Sequence, residues 1–356
     1  MDIYIFNALF LFLFSLLAFN KQKKGSLIQA SLVIAIIWLT LYEGLRWEVG
    51  TDWEAYYKNF INQDWDGHHE IGYIVINYIL YFFSGNYTFF LLVLSSFFYG
   101  SLYFLLRKYS QAPIMSLTIY YCTMLWLLGC NRQLIAMFIC LLSLRYVFNH
   151  KLLPYVLMVL LAFSFHSTAL FFLPAYYIIN REISDKAMIC AAFVFLIIGF
   201  SGVINHIPLI NYAVYLDGNS ADKLSFYTQG DIYSYSYVGS LKRLVILFIC
   251  ILVKKKVKHI YFAPFLKLYF VGCSVFFLFN GSILQLISSR GALFYNIAEV
   301  FIIPSMIYAL FKNGGLRLIA WVGYFVVIFY IMNRDMDSYA SGLGYEVFRP
   351  YRSVLF

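Results

Sequence analysis

Ile3 to Phe19 reads IYIFNALFLFLFSLLAF, an apolar run of 17 residues without one charged side chain. A helix needs roughly 17–25 predominantly apolar residues to cross the hydrocarbon core of a bilayer. Phe89 to Leu106 and Ala187 to Ile204 repeat the pattern, again without a charge. Working outward from these runs, the 356-residue chain is 62% hydrophobic and only 12% charged, with a mean hydropathy of +0.76. That balance excludes a water-soluble globular fold. The expected class is an all-α polytopic membrane protein of about twelve transmembrane helices. They form one membrane domain over residues 1–356, with no room left for a soluble domain of ordinary size. The first run lacks a basic leader and a small-residue cleavage site and is followed by Lys21, Lys23 and Lys24, so we expect it to be retained as a helix.

Short loops rich in Lys and Arg resist translocation and therefore mark the cytoplasmic side. With the N-terminus outside, a first helix over about 3–19 reaches Lys21-Gln22-Lys23-Lys24 and a second over about 27–42 returns. A long outer loop over about 43–69 follows, carrying Glu43, Arg46, Glu48, Asp52, Glu54, Asp64, Asp66, His68 and His69 up to Glu70. Ile71 to Phe83 is short for a span, and counting it as one would put Arg107 and Lys108 outside. We therefore read 71–83 as a re-entrant or interfacial helix. Arg107-Lys108, Asn149-His150-Lys151, Arg181 to Lys186, Lys254 to Lys258 and Lys312 to Arg317 then all fall in the cytoplasm. The intervening outer segments contain Asn131-Arg132-Gln133, Phe165-His166-Ser167, a longer loop over about 205–239, Ser288-Ser289-Arg290 and the tail 333–356. The longer loop is rich in Tyr and Ser (Tyr227, Tyr233, Ser234, Tyr235, Ser236, Tyr237) and holds Asp217, Asp222 and Asp231. Such a surface suits either an interfacial aromatic belt or the stacking of sugar rings.

The net charge of +9 sits mostly at helix ends, where it sets topology, so no nucleic-acid partner is expected. The six cysteines lie within apolar runs without metal-ligand spacing, and no phosphate-cradling or dinucleotide motif is present; neither a metal nor a nucleotide cofactor is implied.

Arg46, Arg132, Arg243 and Arg290 stand near the outer ends of spans, against the inward bias of the other basic residues. A charge near the membrane interior costs a few kcal/mol and asks for a partner or a ligand. Guanidinium groups bind phosphate oxygens through paired planar hydrogen bonds, so several facing one outer cavity would suit a diphosphate. Ion pairs with Glu70 or Glu299, or snorkelling to the interface, are the alternatives. His166 sits at a tight outer junction and could bind, orient or move protons, or simply bond to backbone. Asp52, after the turn residues Gly50-Thr51, and Glu70, opening the short helix, are candidate general bases; for Glu70 a capping role is the alternative.

Gly44-Leu45-Arg46 followed by Val49-Gly50-Thr51-Asp52 and Tyr56-Tyr57 looks like the first signature of the EpsG-like, Wzy-type polysaccharide polymerases. Glu70-Ile71-Gly72-Tyr73 is similar to their Glu-Pro-Gly-Tyr element, with Ile71 in place of proline. Asn131-Arg132-Gln133, Phe165-His166-Ser167-Thr168-Ala169-Leu170, Arg290 through Tyr295 and the tail Arg349-Pro350-Tyr351-Arg352 resemble later ones. The resemblance implies a GT-C-like membrane glycosyltransferase of the bacterial cytoplasmic (inner) membrane, its active site facing the periplasm. It would transfer a growing O-antigen, capsule or exopolysaccharide chain from undecaprenyl diphosphate to a lipid-linked repeat unit, without metal or nucleotide, alongside a chain-length co-polymerase. On this reading Arg132 and Arg290 hold the diphosphate with Arg46 and Arg243 in support. Tyr295 also contacts substrate, and Asp52, Glu70 or His166 activates or orients the acceptor. A lipid-linked oligosaccharide flippase would show two similar halves, and none is visible. A glycan ligase shares these features and differs in its acceptor. A secondary anion transporter would also use intramembrane Arg and His, but the chain shows no matched pair of interrupted spans.

Overall fold

The computed structural model describes residues 2–19, 25–65, 69–206, 236–282, 284–285, 287–343 and 346–355, and not the side chains of 339–343. It is about 80% helix; among the described residues the only extended pairing is an isolated antiparallel bridge between Arg46 and Ser353. Most of the Tyr- and Ser-rich segment expected over 205–239 lies outside the described residues, as do Lys21 to Lys24, Asp66 and His68.

Two compact units divide the chain: Met1–Leu173 with Lys256–Phe262 and Glu299–Phe356, and Pro174–Lys255 with Ala263–Ala298. The first contains α1 (Ile3–Ser15), α2 (Gly25–Gly44), α3 (Trp53–Asn62), α4 (Ile71–Phe83), α5 (Tyr87–Tyr109), α6 (Pro113–Met124), α7 (Asn131–Phe148) and α8 (Leu152–Phe163). Helices Glu299–Leu310 and Gly314–Leu343 complete it. α2 packs on α5, α7 on α8 and α1 on α6. Local signals start and stop these helices. The Asp2 carboxylate caps α1 by accepting from Tyr4 N at 2.9 Å, and Asn86 caps α5 through Thr88 N. α5 ends in Arg107 and Lys108, where cations complement the carbonyl end of the helix. Leu153, Leu157 and Leu161 of α8 all project outward and exposed, a four-residue spacing that places them on one face. In water such a stripe would be a liability; against lipid tails it costs nothing, because the backbone is already satisfied within the helix.

Among the described residues, five helices are long and apolar enough to cross a membrane: Gly25–Gly44, Tyr87–Tyr109, Asn131–Phe148, Phe262–Phe279 and Gly314–Ser338. The bent pair Ile287–Asn296 and Glu299–Leu310 raises this to six if it counts as one span. Ile3–Phe19, Ile71–Phe83, Pro113–Leu127 and Leu152–Phe163 are apolar but shorter. The all-helical, multi-pass expectation holds at this level. α4 has the expected boundaries: its 13 residues extend about 20 Å at 1.5 Å each, short of a hydrocarbon core of about 30 Å. Its outward face, including Ile71, Val75, Phe82 and Phe83, is apolar and exposed.

The C-terminal tail is stitched onto the segment after α2. Trp47 N donates to Arg352 O and Val354 N to Leu45 O, both at 3.0 Å, and Gly50 N donates to Val347 O at 3.0 Å. The Tyr351 hydroxyl donates to Tyr42 O at 2.6 Å, and the Ser353 hydroxyl to Leu45 O at 3.0 Å. Arg349 anchors the tail's other side, bonding Asp2 at 2.5 Å and Asp337 and Asn333 at 2.8 Å. Each such bond is worth roughly 0.5–1.5 kcal/mol net, so removing the set releases the Leu45–Gly50 backbone. A chain truncated after residue 345 is expected to insert at normal membrane level yet to melt at a lower temperature in detergent. Immunoblotting of membranes beside a thermal melt measures the two outcomes separately.

Candidate functional site

In the first unit a close backbone contact joins segments that lie about eighty residues apart in sequence. Gly50 and Gly129 face each other with φ of +116° and +103°, a region that side chains with a Cβ rarely enter. A Cβ on Gly129 would fall 2.6 Å from Thr51 N, and one on Gly50 2.8 Å from Leu128 O. With both positions bare, Thr51 N donates to Leu128 O at 3.0 Å and the Thr51 hydroxyl lies 3.3 Å from Cys130 Sγ. This contact sets the start of α3, which carries Asp52 and Tyr56, beside the start of α7, which carries Arg132.

Arg132 gathers the site. Its Nη1 donates to Glu70 Oε2 at 2.7 Å and its Nε donates to the Tyr56 hydroxyl at 3.1 Å, with the guanidinium 5.8 Å from the Tyr56 ring centroid. Burial pushes the Tyr56 phenol well above its ordinary value, and the carboxylate of Asp52 adds to that against the pull of Arg132. Asp52 occupies the N-cap position of α3 but makes no capping bond. Glu70 likewise stands at the N-cap of α4 without capping it through its side chain, so the capping alternative is not what this carboxylate does. Its Oε1 accepts from Ser167 N at 3.2 Å, while Gly72 N donates to Ser164 O at 2.7 Å. α4 thereby starts on the turn that carries His166. His166 is 8% exposed, and Thr168 contacts its Nδ1 through both hydroxyl and backbone.

Asp52, Glu70, His166 and Arg132 are thus linked within one unit. Of the alternatives for the outer arginines, the ion pair with Glu70 is realised at Arg132. Arg46 is committed to the scaffold. It is 2% exposed, and its Nε, Nη1 and Nη2 donate to Val49 O, Glu43 O and Asn131 Oδ1 at 3.2, 2.8 and 3.1 Å, with Glu43 Oε1 at 3.8 Å. It holds the backbone that leads to Asp52. Arg243, Arg290 and Tyr295 belong to the second unit. Arg243 stacks 3.6 Å from the Phe276 centroid and donates to Gly239 O at 3.2 Å. Arg290 lies partly exposed in the wide turn Ile287–Gly291, and Tyr295 is buried in the short helix Leu293–Asn296.

The pattern of these residues agrees with a match over almost the whole chain. The model of the EpsG family covers residues 29–353. The chain belongs to the EpsG family. Membership points to a membrane protein of the polysaccharide-polymerase type. No curated protein and no solved structure matches the chain. In this EpsG protein the signatures spread along the sequence from Gly44 to Thr168 meet at Arg132. Tyr56, Asn131 and Thr168 stand within the quoted motifs but had no role assigned to them; the spacing of Tyr56, four after Asp52 along a helix, was the one signal that it shares Asp52's face.

The Arg132–Glu70 pair has a pH signature. Burial draws the Glu70 carboxyl upward, but the Arg132 guanidinium and the backbone N–H groups of Glu70 and Ser167 outweigh it and hold it below its ordinary 4.5. A depressed carboxylate stabilises the fold above its unfolded value, and the contribution is lost as pH falls through the depressed folded value. Purified wild type is therefore expected to melt higher than Glu70→Gln at pH 6–8, with the gap closing only as the pH falls below the ordinary 4.5. A gap that closes already near pH 6 would reject the pairing.

Proposed function

We propose that the chain is a glycan polymerase that transfers a growing polysaccharide from undecaprenyl diphosphate to a lipid-linked repeat unit. The observation that carries this reading is the meeting of the family's signature residues Asp52, Glu70, Arg132 and His166 in one cluster. In the transfer, the anomeric C–O bond to the diphosphate breaks as an acceptor hydroxyl attacks the same carbon. The bond electrons leave with the diphosphate and the hydroxyl proton passes to a base. A departing diphosphate calls for preplaced cations, and a nucleophilic hydroxyl for a carboxylate within reach. Arg132 serves the diphosphate through Nη2 while its Nη1 keeps Glu70. Arg290, Arg243 and Tyr295 are further proposed substrate-binding residues, and Arg46 positions the Leu45–Asp52 segment. Asp52 is the base we favour, because Glu70 already neutralises Arg132 and the Nδ1 of His166 is engaged by Thr168.

The same reading carries the finer architecture. The whole chain acts as a single polymerase domain of about twelve membrane passes in a GT-C-like arrangement, with α4 re-entrant or interfacial. It sits in the bacterial cytoplasmic membrane with Asp52 and Arg132 toward the periplasm, and a chain-length co-polymerase is a natural partner. A gel of lipid-linked glycans tests it. Cells lacking the gene are expected to show only single repeat units, wild type to restore the ladder, and Asp52→Asn or Arg290→Ala to leave it collapsed. A full ladder in the gene-deleted cells would reject polymerisation.

A further inference from the structure

His166 stands at the N-cap of a short 3-10 turn, Ser167–Phe172. The first N–H groups of such a turn have no partner within it. Thr168 N fills this need by pointing at the ring nitrogen His166 Nδ1, 3.3 Å away. A backbone N–H is always a donor, so the nitrogen that receives it must carry a lone pair. The Thr168 hydroxyl approaches the same atom at 2.7 Å, and a hydroxyl can rotate to donate. Were Nδ1 protonated instead, the backbone N–H of Thr168 would face a second donor and go unsatisfied at a residue that is half-buried.

We infer that Thr168 is a positioning residue that fixes neutral His166 with its proton on Nε2, making the imidazole a hydrogen-bond donor and not a proton acceptor. The tautomer follows from geometry alone. Its use rests on the polymerase reading: with Ser167 N on Glu70 and Glu70 on Arg132, His166 belongs to the cation-bearing side of the cluster. There an Nε2–H donates to an anionic oxygen of the lipid diphosphate, beside the Arg132 guanidinium. Removal of the acceptor's proton is left to a carboxylate. Which ring nitrogen holds the proton is set by the bond made at the other, so the assignment lies in Thr168 and not in His166 itself.

Nitrogen-15 NMR of the full chain in nanodiscs, labelled at histidine, reads the tautomer directly. His166 is identified among the six histidines by difference from His166→Gln. Wild type is expected to show a bare Nδ1 and a protonated Nε2. Thr168→Val, which keeps the backbone N–H but removes the hydroxyl's bond to Nδ1, is expected to weaken the preference to a mixture of the two tautomers and to cut polymer yield at least tenfold. Thr168→Ser is expected to restore both. A wild-type spectrum with Nδ1 protonated overturns the inference, as does a Thr168→Val spectrum identical to wild type. The tautomer result stands apart from the polymerase reading: the expected spectra in a protein whose gene deletion leaves the glycan ladder intact would remove only the diphosphate as the acceptor of the Nε2–H bond.

Discussion

Arg132→Ala is expected to collapse the glycan ladder to single repeat units, a loss of about 10²–10³ in turnover, the size seen when one preorganised charge-stabilising donor is removed. Two effects contribute and can be separated. On the polymerase reading the substitution takes a cation from the proposed diphosphate site, and it also leaves the partly buried Glu70 carboxylate without its 2.7 Å partner. An orphaned buried charge of that kind costs roughly 3–5 kcal/mol of fold stability at full burial, and less here because both side chains keep 23% exposure. Arg132→Lys retains the charge but not the fork that reaches Glu70 and Tyr56 together, and should recover fold more than turnover. The decisive variant is Arg132→Ala in a Glu70→Gln background. There the orphaned charge is gone, so the membrane level should recover while the ladder stays collapsed. A ladder that returns in the double variant would mean that Arg132 serves only to neutralise Glu70.

The second large effect lies away from any charge. Gly129→Ala is expected to remove both function and stable fold, because the added Cβ meets backbone atoms, Thr51 N at 2.6 Å and Gly50 C at 2.8 Å. Backbone cannot rotate out of the way as a flexible side chain can. A non-glycine residue held at such a φ adds about 1–3 kcal/mol of strain to the clash. The loss should appear as a lower melting temperature in detergent together with a collapsed ladder. Gly100→Ala is the matched control: nothing lies within 4 Å of its Cβ, and within α5 the change should be neutral or stabilising by roughly 0.5–1 kcal/mol. Equal behaviour of the two variants would show that the Gly50–Gly129 contact does not hold the site together.

Both predictions depend on residues that a one-dimensional reading sees unequally. Arg132 was conspicuous, a cation at the wrong end of an apolar helix, and its pairing with Glu70 was one of the alternatives open from the start. Asp52, Glu70 and His166 were also legible, since titratable groups are sparse in a chain with 12% charge. Gly129 was not. A glycine before a helix has several ordinary explanations, and its requirement follows from Thr51, which reaches it only through the fold. Arg46 was legible as an anomaly but not in its role: its guanidinium is spent on Val49 O, Glu43 O and Asn131, and no local pattern distinguishes a cation that binds substrate from one that binds its own backbone.

Hydropathy and charge, read along the chain, suffice for membrane residence, the helical class, the short helix at 71–83 and the shortlist of polar residues near helix ends. These follow from the solvent, because a bilayer rewards apolar length and penalises stray charge residue by residue. Partnership required three dimensions. Arg132 meets Glu70 across 62 positions and Tyr56 across 76, and the tail meets the residues after α2 across about 300. Such contacts are chosen by packing between helices whose order in space hydropathy does not encode. The tautomer of His166 is set at closer range, by a turn whose geometry decides which ring nitrogen meets a donor.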